Sequence, residues 1–370
     1  MERALATTRG RQDGPQEQQR RIRLMIVDDS LVARAVLTRM IETDPTFEVV
    51  AIAANAEDAL EALQQVQVDT IVLDLEMPGL GGMKSIPKIL EAARGAKVMI
   101  VSSLADEGAE QTIAALALGA TDALPKPGTG KFHGRFSDVL LSRLRALGFA
   151  DEMAPPQNAP ASWSPQLHPL RAMSNEPLQL LAIGASTGGI HALSSLFDGL
   201  PRRIGAPILV TQHLPSLFMP VFARQLTTAG QREAVVAEDG MRLVADRIYL
   251  APGDAHMTVQ SDVGGPMVRL SRTPVPSGCM PSVDPMLESV GELYGPAGIG
   301  VVLTGMGRDG VRGAARMVSS GGSILAQDEA SCAVWGMPRA VLEAGLCSAV
   351  LPPDKLARRI ASRVGDRACK

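Results

Sequence analysis

The chain has 370 residues, of which 46% are apolar and 20% are charged, and its formal net charge is −3 at neutral pH. This length predicts two domains, and the composition is that of an ordinary globular protein. The slightly negative charge and the aromatic content of 3% argue against nucleic-acid binding, which uses basic surfaces and stacking side chains. No apolar run approaches the ~18–20 residues that cross a bilayer, so no membrane insertion is expected.

The two ends of the chain carry little patterned sequence. Residues 1–21 are rich in Arg and Gln and lack the apolar core of a secretory signal, which predicts a disordered tail. The cysteines form no C-x-x-C pair and have no histidine near them in the sequence, so a structural zinc site is not expected. Reduced thiols of a cytoplasmic protein are the simplest interpretation of these residues, which are Cys279, Cys332, Cys347 and Cys369.

Residues 22–147 alternate between short apolar runs and helical patterns, which predicts a five-stranded parallel α/β sheet. Such a sheet places its ligand site at the carboxyl ends of the strands. The predicted strands are Arg23–Val27, Glu48–Ala53, Thr70–Leu73, Lys97–Val101 and Thr121–Leu124. The predicted helices are Leu31–Glu42, Ala56–Val66, Met83–Ala93 and Glu107–Leu118.

A proline-rich stretch without apolar periodicity, residues 148–176, predicts a semi-extended linker. The alternation of strands and helices then resumes, which predicts a second, doubly wound α/β domain over residues 177–370. Its predicted strands are Leu178–Ile183, Pro207–Thr211, Arg247–Leu250, Gly300–Leu303 and Ser323–Ala326.

Acidic residues end two strands of the first predicted sheet. Asp28 and Asp29 follow the first strand, Asp74 follows the third, and Lys126 follows the fifth. Because strands one and three flank the switch point, the three carboxylates should meet, and clustered carboxylates suit Mg²⁺. With the metal neutralising charge, one carboxylate can act as a phosphoryl acceptor while Lys126 pairs with the phosphoryl group. The alternative is that these aspartates are helix N-caps and turn residues.

This part of the chain resembles the flavodoxin-like receiver domain of two-component response regulators. The resemblance implies that Asp74 is the phosphoacceptor and that Mg²⁺ binds Asp29, Asp74 and the backbone carbonyl of Glu76, with Asp28 assisting. It also implies that Ser102 contacts the phosphoryl group, and that the bond between Lys126 and Pro127 is cis. The segments that carry it are Val27-Asp28-Asp29-Ser30, Asp74-Leu75-Glu76-Met77-Pro78-Gly79, Ser102-Ser103 and Lys126-Pro127.

The second domain begins with a glycine-rich turn between a strand and a helix. Gly184-Ala185-Ser186-Thr187-Gly188 fits the G-x-S-x-G pattern, in which a nucleophilic serine occupies a tight turn and the helix N-terminus offers N–H donors. Taken alone, the same turn could cradle a phosphate or simply pack.

A serine hydroxyl becomes nucleophilic only beside a base, and the chain has five histidines. His133 and His168 lie near the first domain and in the linker, and His191 points away along the helix after Ser186. Strand ends favour His213, with His256 next. A third residue should be a carboxylate that orients the imidazole, for which Asp309 is the leading candidate. Spacing leaves three competitors open, which are Asp254, Asp284 and Asp328.

The second domain resembles the chemotaxis protein-glutamate methylesterase (CheB) family, and the receiver, linker and effector together match the architecture of that family. The resemblance implies Ser186 as nucleophile, His213 as general base and Asp309 as its partner. It implies that Met306 and Thr187 line the site, with the backbone of Met306 as an oxyanion donor. Cys279-Met280 departs from the basic or polar residues expected there. The matching segments are Ile183–Gly189, Thr211–Pro215, Ala251–Met257, Pro281–Asp284, Leu303–Gly310, Gln327-Asp328 and Gly336-Met337-Pro338.

The function implied is a phosphorylation-activated, cytoplasmic hydrolase. It would demethylate glutamate γ-methyl esters of chemotaxis receptors, release methanol, and deamidate selected receptor glutamines. A histidine kinase would supply the phosphate, Mg²⁺ would be needed in the receiver, and the esterase would need no cofactor. Two rival functions are a nucleotide-binding module, which lacks a well-placed acidic residue after the glycine-rich turn, and a transcriptional regulator, which lacks a basic helix-turn-helix.

Overall fold

The computed structural model of the protein describes residues 20–102, 106–126, 134–149 and 169–365. The predicted tail up to residue 19 and residues 150–168 of the predicted linker lie outside the described residues. Pro127, whose peptide bond was expected to be cis, lies outside them too. Among the described residues, no helix combines the length and the apolar character that crossing a membrane requires.

The first sheet has five parallel strands in the order β2-β1-β3-β4-β5, which confirms the predicted receiver fold. Its inner strands are largely buried on both faces because helices cover both sides, as parallel sheets require, whereas the edge strand β2 is partly exposed. The elements in chain order are β1 Ile22–Val27, α1 Leu31–Ile41, β2 Phe47–Ala53, α2 Ala56–Gln65, β3 Thr70–Leu73, α3 Gly82–Ala92, β4 Lys97–Ser102, α4 Asp106–Ala117, β5 Asp122–Pro125 and α5 Arg135–Gly148.

Helix α5 was not among the predicted helices, although its sequence carries the signal. Leu140, Leu144 and Leu147 recur at helical spacing and are buried together against Ile22 and other residues of the sheet. The helix ends at Gly148, where a Cβ would lie 2.4 Å from the Ile22 side chain. Close packing of α5 on β1 therefore closes the first domain.

The second sheet has seven parallel strands in the order β14-β13-β12-β6-β7-β9-β8, and an antiparallel hairpin, β10-β11, stands beside it. The elements in chain order are β6 Leu180–Ala185, α6 Gly189–Gly199, β7 Ile208–Gln212, α7 Met219–Gly230, β8 Ala234–Val236, β9 Ile248–Leu250, β10 His256–Asp262, β11 Gly265–Ser271, α8 Val283–Tyr294, β12 Gly298–Val302, α9 Val311–Ser319, β13 Ser323–Gln327, α10 Met337–Glu343, β14 Cys347–Leu351 and α11 Pro353–Ala361.

The topology of the second sheet fixes where its ligand site lies. From β6 the chain continues to β7 on one side, whereas β12 pairs with β6 on the other side. This is a switch point, and residues that follow β6, β7 and β12 converge in the crevice at their carboxyl ends. The doubly wound fold is confirmed, although the edge strands β8 and β14 and the hairpin were not predicted.

Candidate functional site

The turn after β6 holds Ser186 in a fixed backbone setting. The Ser186 N–H donates to the Thr304 carbonyl at 3.0 Å. Gly188 has φ +76°, and a Cβ there would lie 2.4 Å from the Cβ of Ala333. At Gly305, across the crevice, a Cβ would come within 2.7 Å of the Ser186 Cβ. Glycine at position 188 therefore lets the serine turn pack closely against Ala333, and glycine at position 305 lets the loop after β12 pack closely against Ser186.

His213 follows β7 and faces the serine. Its Nδ1 lies 3.1 Å from the Ser186 Oγ. The preceding Gln212 is buried and donates from Nε2 to the Ser186 carbonyl at 2.8 Å. The His213 N–H donates to the Ala185 carbonyl at 3.0 Å. The two strand ends are thus tied together, and the predicted nucleophile and base lie within hydrogen-bond distance.

Asp309, in the loop after β12, contacts the other imidazole nitrogen. Its Oδ2 lies 2.9 Å from His213 Nε2. Because an ionised carboxylate only accepts hydrogen bonds, Nε2 carries the proton and Nδ1 is left as the acceptor for the Ser186 hydroxyl. In the Ser-His-Asp triad of chymotrypsin-like proteases, Nε2 faces the serine and Nδ1 faces the aspartate. The two nitrogens exchange these roles here, but the proton path from serine to imidazole is equivalent.

The environment of Asp309 favours its charged form. Burial alone would raise its pKa, but hydrogen bonds and the charge of His213 outweigh burial and lower the pKa to about 2. The Ser282 hydroxyl donates to Oδ1 at 2.6 Å, and the Val283 N–H donates to Oδ2 at 2.7 Å. Val283 begins α8, so the carboxylate also faces the positive end of that helix.

His256, the second candidate for the base, instead supports Ser282 with its ring. The Ser282 N–H donates to His256 Nδ1 at 3.0 Å, and His256 Nε2 donates to the Thr273 carbonyl at 3.0 Å. His256 is therefore a buried neutral imidazole that holds the residue beside Asp309. Ser282 is also the N-cap of α8, a signal that the sequence does carry in Ser282-Val283-Asp284.

The other carboxylates considered for the third position lie away from His213. Asp284 is buried and accepts from the Gly313 N–H at 2.8 Å, whereas Asp254 and Asp328 make exposed contacts. His191, as expected, turns away from Ser186, and its Nδ1 lies 3.5 Å from the Ala117 carbonyl. The exposed contacts are Asp254 with Arg272 and Asp328 with Ser331.

Met306 and Thr187 border the triad. Met306 is 39% exposed, and its backbone N–H donates no hydrogen bond within the described part of the chain. The Thr187 carbonyl accepts from the Thr304 hydroxyl at 2.9 Å, and the Thr304 N–H is held by Gln327 Oε1 at 2.8 Å. Thr304 and Gln327, which lie in segments that match the family but were assigned no role from sequence, join the serine turn to β13.

The first domain covers this edge of the second sheet, with α4 packed against α6 and α7. The Gly188 N–H donates to the Thr121 carbonyl at 2.7 Å, and Thr187 Oγ1 donates to Asp122 Oδ2 at 3.2 Å. Asp122 also pairs with Arg143 of α5 at 2.8 Å. A cavity of about 440 Å³ remains beside Met306, and its walls include Ala146, Phe149, Trp335 and Arg339.

The predicted acidic cluster is assembled at the carboxyl edge of the first sheet. Asp28, Asp29 and Asp74 offer ligand atoms that all lie within 4.8 Å of one another. Lys126 Nζ lies 2.8 Å from Asp28 Oδ2 and 2.7 Å from Asp74 Oδ2. Ser102 is buried, and its hydroxyl has no hydrogen-bond partner among the described residues.

The electrostatics of this cluster are unbalanced, because three carboxylates face one lysine. Burial, with a smaller contribution from Asp28, raises the pKa of Asp74 despite the opposing effect of Lys126. Burial lowers the pKa of Lys126, but its hydrogen bonds to Asp28 and Asp74 reverse the effect and raise it. A divalent cation would relieve this excess of negative charge, and the oxygen ligands fit Mg²⁺. The backbone carbonyl of Glu76 stays the fourth predicted ligand.

Comparison with known proteins relates both parts of the chain to described families. Residues 181–360 match the family model of the CheB methylesterase, and residues 24–132 match that of the response regulator receiver domain. The protein-glutamate methylesterase/protein-glutamine glutaminase 1 of Paramagnetospirillum magneticum is 39% identical over 368 residues, which cover 93% of this chain and 97% of the relative. The enzyme named protein-glutamate methylesterase/protein-glutamine glutaminase 2 of Caulobacter vibrioides is 42% identical over 346 residues, which cover 92% and 99%.

Two solved structures from Thermotoga maritima are similar to separate parts of the chain. The CheB methylesterase catalytic domain is 35% identical and covers 50% of this chain and 97% of its own, with a TM-score of 0.48. The response regulator domain of CheB is 36% identical and covers 34% of this chain and 95% of its own, with a TM-score of 0.32.

Proposed function

The chain belongs to the CheB methylesterase family, and on that premise we propose that it hydrolyses glutamate γ-methyl esters of chemotaxis receptors and releases methanol. The same site would deamidate selected receptor glutamines, with ammonia as the leaving group. The observation that carries this proposal is the continuous hydrogen-bonded path from Ser186 through His213 to Asp309 at the carboxyl edge of the second sheet.

In the proposed mechanism, Ser186 Oγ attacks the ester carbonyl while His213 Nδ1 accepts its proton. The imidazolium that forms is stabilised by Asp309, whose low pKa keeps it ionised. His213 then returns the proton to the leaving methoxide, which departs as methanol and leaves an acyl group on Ser186. Water, deprotonated by the same nitrogen, cleaves the acyl-enzyme.

The oxyanion of each tetrahedral intermediate needs preorganised donors. We assign this role to the backbone N–H of Met306, with Thr187 lining the site. The exposed position of Met306 and its unpaired N–H among the described residues support the assignment. Thr187 is engaged by Asp122 of the first domain, so the closed arrangement draws its hydroxyl toward the receiver.

The first domain is a response-regulator receiver, and receivers are phosphorylated in a Mg²⁺-dependent reaction. We propose Asp74 as the phosphoacceptor, a histidine kinase as the phosphodonor, and Asp28, Asp29, Asp74 and the Glu76 carbonyl as the residues that would hold the ion. Mg²⁺, when bound, would neutralise charge that develops during phosphoryl transfer. Lys126 would then turn from Asp28 and Asp74 toward the phosphoryl group, which the unpaired Ser102 hydroxyl would also contact.

Regulation follows from the way the receiver covers the serine turn. In this proposal residues 22–147 form the receiver, 148–176 the linker, and 177–370 the esterase, which acts in the cytoplasm without a cofactor of its own. Phosphorylation of Asp74 would shift the population toward an open form in which receptor helices reach Ser186. The contacts of Thr121 and Asp122 with the serine turn support a closed resting state.

Methanol release from methylated receptor membranes, with and without the kinase, tests the proposal. The wild-type protein should release methanol, faster with the kinase, and Ser186→Ala should release almost none. Ser194→Ala is the matched control, because the Ser194 hydroxyl lies on α6 and donates to the Ile190 carbonyl. Release of methanol by Ser186→Ala at the wild-type rate would rule out the covalent mechanism.

A further inference from the structure

A thiol that the proposed reaction does not use lies beside the triad. Cys279 is half-buried, and its Sγ makes a weak contact of 3.8 Å with the Ser277 carbonyl. His213, Cys279 and Asp309 each offer a metal-ligating atom, and these atoms all lie within 4.8 Å of one another. They come from loops after β7, β11 and β12, so only the fold brings them together.

This ligand set has the chemistry of a zinc site. One imidazole nitrogen, one thiolate and one carboxylate oxygen are ligands that Zn²⁺ accepts, and three protein ligands plus one water complete its tetrahedron. A thiolate and an imidazole select against Mg²⁺ and Ca²⁺, which prefer oxygen ligands. We propose that His213, Cys279 and Asp309 form an inhibitory Zn²⁺ site superimposed on the catalytic triad.

Two of the three ligands need little rearrangement, and Cys279 Sγ must approach from within 4.8 Å. His213 Nε2 and Asp309 Oδ2 are 2.9 Å apart, and two atoms that bind one Zn²⁺ at about 2.0–2.2 Å in a tetrahedron lie only slightly farther apart. Asp309 accepts three hydrogen bonds, from His213, Ser282 and Val283. Oδ2 accepts from His213 and Val283, and Oδ1 accepts from Ser282, so exchange of the His213 hydrogen bond frees the position on Oδ2 that faces the imidazole. The His213 side chain is 18% exposed, which leaves a path for a cation.

Metal binding would disable the base by moving a proton. Zn²⁺ takes the lone pair of Nε2, so the imidazole proton moves from Nε2 to Nδ1, and the Cys279 thiol releases its proton to solvent. One proton leaves per ion, and Zn²⁺ with one thiolate and one carboxylate carries no net charge. Nδ1, which lies 3.1 Å from Ser186 Oγ, then carries a hydrogen and cannot accept the serine proton. The binding step uses only the residues of the cluster, whereas its effect on rate rests on the proposed function.

The rest of the described chain offers one other cluster of potential metal ligands, Asp28, Asp29 and Asp74, which consists of oxygen donors. The thiols of Cys332 and Cys347 belong to no such cluster within the same residues. Cys332 is therefore a matched control for a cysteine substitution. Excess Mg²⁺ in all solutions would keep the acidic cluster from adding to the measured Zn²⁺.

Binding is tested on the full-length protein by equilibrium dialysis against Zn²⁺, without any substrate. Wild type, Cys332→Ala and Ser186→Ala should retain the ion, and Cys279→Ala should bind it at least tenfold more weakly. Co²⁺ as a replacement ion should give a sulfur-to-metal charge-transfer band in the first three proteins and not in Cys279→Ala. Because Ser186→Ala has no turnover, Zn²⁺ binding by this variant tests the metal site independently of the esterase activity.

Inhibition is tested next, with each variant compared with its own metal-free rate. Half-inhibition of Cys279→Ala should need at least tenfold more Zn²⁺ than half-inhibition of wild type or Cys332→Ala. Protection of the wild-type Cys279 thiol from iodoacetamide by Zn²⁺, mapped by mass spectrometry, gives a readout that needs no substitution. Equal Zn²⁺ affinity in wild type and Cys279→Ala, or alkylation of Cys279 unaffected by Zn²⁺, would overturn the site. Full activity with the site occupied would overturn its inhibitory role.

Discussion

The two sheet edges of this molecule place their sites in the same topological position but satisfy their charges in opposite ways. In the receiver, Asp28 and Asp74 follow β1 and β3, and in the second domain Ser186 and Asp309 follow β6 and β12. Both pairs lie at a switch point of a parallel sheet. The difference lies in what the protein itself supplies around each site.

At the second edge, the protein supplies every partner that its buried charge needs. Asp309 accepts from three donors, and its pKa is lowered to about 2. At the receiver edge, burial raises the pKa of Asp74, and the Ser102 hydroxyl is unpaired among the described residues. A preorganised site suits transition-state stabilisation, whereas an unbalanced one responds to an incoming cation and phosphoryl group.

The largest effect on activity is expected from substitutions in the preorganised triad of the second domain. Ser186→Ala and His213→Ala should each lower kcat by about 10⁶, and the double variant should be little slower, because such residues act as one unit. Asp309→Asn should cost up to about 10⁴, since an amide can favour the wrong imidazole tautomer. Single-turnover methanol release measures all four proteins. A double variant slower than wild type by the product of the two single effects would contradict a shared mechanism.

Substitutions in the acidic cluster of the receiver should instead reduce phosphorylation or weaken Mg²⁺ binding. Asp74→Asn should take up no phosphate from a phosphorylated kinase, while its esterase should keep the unstimulated rate. Asp28→Ala and Asp29→Ala should need more Mg²⁺ for the same labelling, because each removes an oxygen ligand. Labelling with radioactive phosphate, followed over a Mg²⁺ titration, checks both expectations. Full labelling of Asp74→Asn would assign the phosphoacceptor to another residue.

A smaller effect is expected from loosening one support of Asp309. Ser282→Ala removes a charge-assisted hydrogen bond of about 1.5–3 kcal/mol, so kcat should fall by about 10- to 100-fold. It should also raise the pKa of Asp309 toward its ordinary value of 3.8, because the Ser282 bond is among the causes that lower it. The measurement is kcat together with urea unfolding as a function of pH.

The sign of the pH effect follows from linkage. The folded pKa of Asp309 is below its unfolded value, so its ionisation stabilises the fold above pH 3.8 and this contribution is lost as the pH falls toward about 2. The destabilisation of Ser282→Ala should therefore shrink over that pH range, apart from a pH-independent loss of the N-cap of about 1 kcal/mol. Ser289→Ala is the control, because Ser289 lies on the same helix and bonds Met286 and Val259 instead. A pH-independent difference for Ser282→Ala would contradict the support of Asp309.

The sequence revealed the two sheets and both sets of strand-end residues because these depend on local pattern. Buried strands read as apolar runs, and Asp74 or His213 stands directly after such a run. The edge strand β8, with three residues, is too short to carry such a pattern, and the hairpin β10-β11 alternates only weakly. Both escaped prediction for that reason.

The contacts that support Asp309 and the serine turn could not be predicted from the sequence, because they join residues that are far apart in the chain. Ser282 and Asp309 are 27 residues apart, and Thr304 and Gln327 are 23 apart. The proximity of Cys279 to His213 is of the same kind, since sequence spacing indicated that no cysteine lay near a histidine. Spacing alone could not separate Asp309 from Asp284, and the fold shows that Asp284 instead faces the Gly313 N–H.

The smallest effect is expected where the two domains meet, and it bears on how the receiver restrains the esterase. Asp122→Ala removes the acceptor of the Thr187 hydroxyl, so the unphosphorylated protein should demethylate receptors about 3- to 10-fold faster, which corresponds to ~0.7–1.4 kcal/mol. Glu110→Ala is the matched control, since Glu110 pairs with Arg224 at the exposed rim of the same interface, at 2.6 Å, and does not reach the serine turn.

A small soluble methyl ester distinguishes two ways in which Asp122 could act. If the receiver only blocks access, Asp122→Ala should accelerate receptor demethylation and leave the small ester unchanged, because a small substrate passes the lid in either state. If the receiver also withdraws Thr187 from the oxyanion, hydrolysis of the small ester should rise as well. Normal phosphate labelling of Asp74 in the variant would show that the receiver is still folded. Unphosphorylated Asp122→Ala with the wild-type rate on receptors would mean that the contact between Thr187 and Asp122 restrains nothing. The resting state would then depend on the other contacts between the domains, which include the Gly188–Thr121 hydrogen bond and the α4 packing.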